Sequence, residues 1–309
     1  MSSSNLASSP KLSRRQSLQL GAATTAAGLL ASPKLTPSAQ AQVLPGGPFT
    51  TPWMVPLPVY AAKLPVAALL PTPRIAANRP AGECGRDPHQ READFPSQEF
   101  YSMTIEPGQH SYHPELPTQT VWGYDGIVPG PTYVARYGKP ITVRIINKVP
   151  ANTVGYGTPE FSTHLHNLHC ASESDGFAGD YYSATKWGPT LAGPGVFKDH
   201  HYPNAYAGFD DPAYAATKGD PREGLGTLWY HDHRMDFTAA NVYRGLAGFY
   251  LLFDHIDSGD ENDTNPAALR LPSGVGKYDI PLVFQDKVFE SGGYVSFNEF
   301  EPNGVLDNK

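Results

Sequence analysis

Histidines recur at alternate positions in two stretches of this chain. His164 and His166 lie in THLHNLHC (163–170), and His231 and His233 lie in LWYHDH (228–233). In a strand, residues i and i+2 project from the same face, whereas on a helix they diverge. Each stretch, if extended, presents two imidazoles on one side. Leu165 and Asp232 then turn to the other side, and Trp229 stands beside the second pair. Two adjacent strands of this kind offer four imidazoles to one small volume, which requires a sheet.

The flanking sequence agrees with a sheet protein. Strand-like runs are QEFYSMTIEPG (98–108), TQTVWGYDG (118–126), PTYVARYGKPITVRIINKV (131–149), FSTHLHNL (161–168), GTLWYHDH (226–233) and LAGFYLLFD (246–254). Ile141, Val143 and Ile145 alternate with Thr142 and Arg144, the period of a strand with one buried face. MDFTAANVYRG (235–245) reads as a short helical turn, and 171–224 as mostly loop. Glycine and proline, 30 and 31 residues, make up about a fifth of the chain. That fraction suits turns between short strands rather than long helices. No repeat, heptad or phosphate-cradling glycine loop occurs. The expected fold is all-β, a Greek-key β-sandwich.

Residues 1–41 read as an export signal: Arg14-Arg15, a mild apolar run GAATTAAGLLA, then Ala39-Gln40-Ala41. The arginine pair indicates the twin-arginine route, hence a periplasmic or secreted protein. The run is too short and polar to span ~30 Å of hydrocarbon, so no stable membrane anchor is expected. Removing it takes away four basic residues and no acid, and moves the formal charge from −7 to −11. Such an acidic chain is a poor partner for nucleic acid or anionic lipid. Cys84 and Cys170 could pair in an oxidising compartment.

The remaining divisions follow composition. Residues 42–95 are proline-rich and read as an extended segment on a domain, or else as a disordered arm. Residues 96–256 form the first domain, 257–277 a polar linker, and 278–309 the start of a second domain.

Neutral imidazole suits copper and zinc, and two H-x-H strands together favour a metal site. His169 and Cys170 follow Asn167, a plausible strand breaker, and are placed outside the ligand set. His200 and His201 are expected in a loop before Tyr202-Pro203, as surface or packing residues. His89, His110, His113 and His255 have no ligand spacing.

WGYDGIVPGPT (122–132), HLH (164–166), ESDG (173–176), HYPN (201–204), LWYHDHRM (228–235), NVYRGLAGFYLLFD (241–254) and YDIPLVFQD (278–286) occur in one order. In this combination the chain resembles the N-terminal part of a multicopper oxidase, near the bacterial spore-coat laccase and bilirubin oxidase branch. The ordered motifs set aside an unrelated H-x-H metalloenzyme such as a cupin or zinc hydrolase.

The resemblance implies cupredoxin domains, a type 1 copper that takes electrons from the substrate, and a trinuclear copper cluster that reduces O2 to water. By the same resemblance, His164 binds the type 2 copper, and His166, His231 and His233 bind the type 3 pair. Asp175 in ESDG lies near the cluster and assists proton delivery, or is simply a turn residue.

The sequence also departs from the family. H-x-x-H-x-H and H-C-H-x-x-x-H-x-x-x-x-M, which carry the type 1 ligands and the other trinuclear histidines, do not occur here. Asn167 stands where the family commonly has glycine. The expectation is therefore the N-terminal part of a laccase- or bilirubin oxidase-like enzyme, through truncation, frameshift or a split gene. It would supply half of the trinuclear site and be inactive alone. The alternative is a non-catalytic periplasmic copper-binding or partner-binding cupredoxin module. Oxidase partners would be O2 and a reducing substrate, phenolic or a metal ion.

Overall fold

The computed structural model describes residues 47–70, 89, 91–177, 182–183, 186–187 and 190–297, with backbone only at 182–183 and 186–187. The expected export signal and Cys84 lie outside the described residues. No helix among the described residues is long and apolar enough to cross a membrane.

The strands are β1 (Glu99–His110), β2 (Gln119–Tyr124), β3 (Gly130–Arg136), β4 (Ile141–Asn147), β5 (Thr163–His166), β6 (Tyr182–Ser183), β7 (Lys186–Trp187), β8 (Phe197–Tyr202), β9 (Thr227–Asp232), β10 (Ala247–Phe253), β11 (Val288–Phe289) and β12 (Val295–Ser296). Among the described residues two short α-helices interrupt them, α1 (Ser172–Asp175) and α2 (Thr238–Arg244). One sheet has the order β2-β1-β4-β8 and the other β3-β10-β9-β5. Within them β1 runs parallel to β4, and β10 parallel to β3, while the other neighbours are antiparallel. Sequence-distant strands thus become neighbours, and the expected all-β Greek-key sandwich is what the chain builds.

The core lies between the sheets and is rich in tyrosine. Tyr101, Tyr124, Tyr133, Tyr202, Tyr230 and Tyr250 are buried with Met103, Ile105, Val143, Ile145 and Leu228. A buried hydroxyl without a partner is costly, so each polar tip needs an acceptor or donor. The Tyr230 hydroxyl donates to the Pro131 carbonyl at 2.6 Å, and that of Tyr250 to Asn204 Oδ1 at 2.7 Å. The Tyr124 and Thr163 hydroxyls meet at 3.1 Å, tying the core to the start of β5.

β4 is buried on both faces. Its outer face carries Arg144, paired bidentately with Asp199 of β8 at 2.8 and 2.9 Å and lying over the Phe197 ring. That pair explains a strand absent from the sequence expectation. FKDHHY has no apolar/polar alternation, yet it forms β8, and His200 and His201 are buried in it rather than exposed in a loop.

Residues 47–70 run mostly exposed and are tied down by single bridges, Ala62 to Thr132 and Val66 to Phe100, by the Lys63–Asp125 ion pair and by hydrogen bonds of Thr51 to Glu115. Residues 278–297 are also largely exposed, with Phe284 at 91%.

Candidate metal centre

The antiparallel β5/β9 ladder sets the register of the centre. His164 lies opposite His231, and His166 opposite Trp229. β9 ends at Asp232, but the His233 N–H donates to the Ser162 carbonyl at 2.8 Å and continues the ladder by one bond. All four histidines therefore project from the same face. Their ring centroids lie 5.3 Å apart for His164–His166, 5.4 Å for His164–His231, 5.0 Å for His164–His233 and 5.4 Å for His231–His233. Ligand nitrogens of His164, His166 and His231 all fall within 4.8 Å of one another. His233 stands beside this group of three.

Local turns hold the pair on β5. Asn167 takes φ +74°, a left-handed conformation that ends the strand immediately after His166. Asparagine tolerates this region better than other residues with a Cβ, so it can fill a position where glycine is common. Gly176 closes α1 at φ +71°, and a Cβ there would sit 2.2 Å from the Thr163 carbonyl oxygen. Only glycine lets α1 lie this close to β5.

α1 in turn aims one imidazole. His164 Nδ1 donates to the Asp175 carbonyl at 2.5 Å and lies 3.3 Å from Asp175 Oδ1. Burial works to lower the His164 pKa, but the hydrogen bonds to Asp175 outweigh it and the net direction is upward. The His164 ring reciprocally holds the Asp175 carboxyl below the usual carboxylate value. His231 Nδ1 donates to the Asp232 carbonyl at 2.6 Å. Burial pushes the His231 pKa down to about 4, so its ring is neutral at pH 7. These acceptors hold a proton on Nδ1 of both rings and leave Nε2 as the nitrogen available to a metal. His166 Nδ1 faces His231 Nε2 at 3.4 Å.

Asp232 points away from the imidazoles, as its position between them requires. It is fully buried and accepts from the Ser162 and Arg234 backbone N–H groups and from Asn241 Nδ2 of α2. Burial raises its pKa to about 6 despite these donors. Asn241 Oδ1 continues the network by accepting from the Thr158 N–H.

The donor set fits a borderline-soft ion. It consists of four imidazoles, two with Nδ1 held by backbone carbonyls, the arrangement expected around a metal. The buried His233 Nδ1 has no hydrogen-bond partner, which an ion at this face would satisfy. Copper meets these requirements, and an oxygen-seeking ion such as Mg2+ or Ca2+ does not.

Other sequence candidates lie outside this face. Cys170 packs against the core, with Sγ 3.7 Å from Asp175 Oδ1, and His169 is exposed. His200 and His201 were missed as supports. His200 Nδ1 donates to the Ser174 carbonyl at 3.0 Å, and the His201 N–H donates to Ser174 Oγ at 2.8 Å. Together they clamp the one-turn helix that aims His164. No spacing signal marks such a role, because the contact joins elements 26 residues apart.

The multicopper oxidase family profile matches residues 104–188. The chain is 34% identical over 209 residues to a bilirubin oxidase of Albifimbria verrucaria, across 68% of this chain and 28% of that protein. It is 32% identical over 226 residues to a laccase of Bacillus stratosphericus, across 69% and 38%. To a laccase of Haloferax volcanii it is 29% identical over 308 residues, across 93% and 42%. The chain thus spans less than half the length of each of these relatives. Over the region that these matches cover, the chain belongs to the multicopper oxidase family, in its cupredoxin-like β-sandwich form.

Proposed function

We propose that this chain provides the first half of the O2-reducing copper centre of a laccase- or bilirubin oxidase-like enzyme. His164, His166, His231 and His233 would hold copper of the type 2 and type 3 sites. The single observation that carries this reading is the convergence of the four imidazoles on one face of the β5/β9 ladder. The names of the relatives support the oxidase chemistry: reduction of O2 to water at the expense of a phenolic or similar substrate, or of a metal ion.

Copper, when bound, supplies one-electron redox chemistry. The protein's own share is orientation and proton handling. Asp175 touches His164 through both its backbone and its carboxylate, while 43% of its side chain faces solvent. A carboxylate that meets water on one side and a ligand on the other is suited to passing protons inward, which O2 reduction consumes.

On this reading the four histidines are half of a cluster's ligand set, and the chain by itself binds copper without turning over. The second reading is a copper-binding or partner-binding module without catalysis. We place the protein in the periplasm or outside the cell, exported by the twin-arginine route that Arg14-Arg15 indicates.

Three measurements test the proposal. Copper bound per chain should fall by at least half in a His231→Ala/His233→Ala variant, and unchanged stoichiometry would refute the site. The copper-loaded chain should not oxidise a phenolic dye under O2. Turnover would refute the half-site reading. A complement carrying the two missing motifs should restore oxidation under the oxidase reading and leave it at zero under the second.

A further inference from the structure

The face that presents the imidazoles carries five rings. Trp229 lies opposite His166 in the ladder and two residues before His231 on β9. Its indole stacks on His231 at 4.1 Å and 27°, and on His166 at 5.4 Å and 26°. His231 stacks in turn on His233 at 29°. Residues 229, 231 and 233 thus form a column of near-parallel rings, with the indole at its end. His164 meets its three neighbours edge-on, at 69° to 86°.

The rings of this face are not anchored alike. His164 and His231 each spend Nδ1 on a backbone carbonyl, at 2.5 and 2.6 Å. For His166 the one hydrogen-bond contact among the described residues is the 3.4 Å approach to His231 Nε2, which is long for a hydrogen bond. Among the described residues, no backbone carbonyl and no short hydrogen bond fixes the His166 ring. His164 meets it edge-on at 5.3 Å and His231 lies tilted against it at 5.7 Å, while the indole is the one near-parallel flat surface beside it, at 5.4 Å. A tryptophan cannot ligate, so at this position it acts as a wall, with two χ angles and a large flat face.

We propose that Trp229 is a positioning residue: its indole holds the His166 and His231 rings in the orientation in which their nitrogens converge on a metal ion. The inference rests on the copper-site reading above. Groups that orient metal ligands change affinity by ~10–100-fold when removed.

The test compares the full chain with Trp229→Phe, which keeps a stacking face, and Trp229→Leu, which keeps apolar bulk without one. Cu2+ affinity is measured by competition with a chromophoric chelator at pH 7, and stability by urea unfolding. We expect Leu to weaken Cu2+ binding about tenfold and Phe to retain most of the affinity, with similar unfolding midpoints for both variants. Equal Cu2+ affinity in Leu and wild type would overturn the proposal. So would a loss shared equally by Phe and Leu that follows their stability. Ring protons give a metal-free readout that does not depend on the variants. His231 ring protons in the wild type should resonate upfield, under the indole ring current, and unshifted resonances would also overturn it. A wild type that takes up no Cu2+ would remove the site reading and this inference together. A wild type that binds Cu2+ as tightly as its Leu variant would remove the positioning role alone.

Discussion

Two regions of this molecule concentrate histidine, and they use it in opposite ways. On the β5/β9 face, four imidazoles crowd together, and ligand nitrogens of three of them, His164, His166 and His231, lie within 4.8 Å of one another. Around β8, His200 and His201 are buried and each spends a ring nitrogen on a backbone carbonyl, while His89, buried beside them, has no hydrogen bond at either ring nitrogen among the described residues and faces Glu173 Oε1 at 3.9 Å. His200 and His201 reach the Ser174 and Phe95 carbonyls, and His201 and His89 stack at 5.9 Å. The adjacent pair His200-His201 is denser than either H-x-H, yet the two rings bond to separate carbonyls, those of Ser174 and Phe95. Histidine density does not make a site. What the second ring nitrogen faces does.

The largest effect should come from the packed region. His200→Ala removes a buried hydrogen bond and leaves a cavity, and should cost about 3 kcal/mol in urea unfolding. A cost as small as that of His233→Ala, which we place under about 1 kcal/mol because its Nδ1 has no partner to lose, would erase the contrast.

Acid should separate the regions next. Burial lowers both His89 and His200 to about 3. A histidine whose folded pKa lies below its unfolded value contributes full stability above the unfolded value, about 6.5. That contribution falls as pH drops from 6.5 toward 3, because protons bind the unfolded chain first. Each should cost about 1.4 kcal/mol per pH unit in that window. Urea midpoints at pH 7 and pH 5 measure it, and a flat profile would contradict the burial of these rings.

Asn167→Ala should cost about 1 kcal/mol, because a Cβ without a local polar group is strained at positive φ. Asn167→Gly should be close to neutral. If Ala were equally neutral, the left-handed turn after His166 would not be needed. The smallest effect is a titration shift. Asp175→Asn should lower the His164 pKa, since Asp175 is what raises it. Proton NMR of the ring reads this directly, and an unmoved pKa would detach Asp175 from the centre.

Most of this centre was legible from local sequence. The period of two in HLH and HDH placed two rings on one face of each strand, and Trp229 beside the second pair, because strand geometry alone fixes that. Leu165 and Asp232 turned away for the same reason. β8 was not legible. Its buried Lys198, Asp199, His200 and His201 are satisfied by distant residues, Arg144 of β4 for Asp199 and Ser174 of α1 for the histidines. A polar strand whose partners lie elsewhere in the chain carries no hydrophobic signal.

The sequence by itself determined that imidazoles alternate along two strands, that the chain is acidic, and that its ordered motifs are those of multicopper oxidases. Tertiary structure alone decided that the two strands are neighbours with His164 facing His231. It also decided that α1 is clamped against β5 by β8, and that the His166 ring stacks on an indole where His164 and His231 bond to backbone carbonyls. The physical reason is the range of the forces involved. Alternation is a property of one strand's backbone, whereas register, clamping and stacking arise only when segments far apart in the chain pack together.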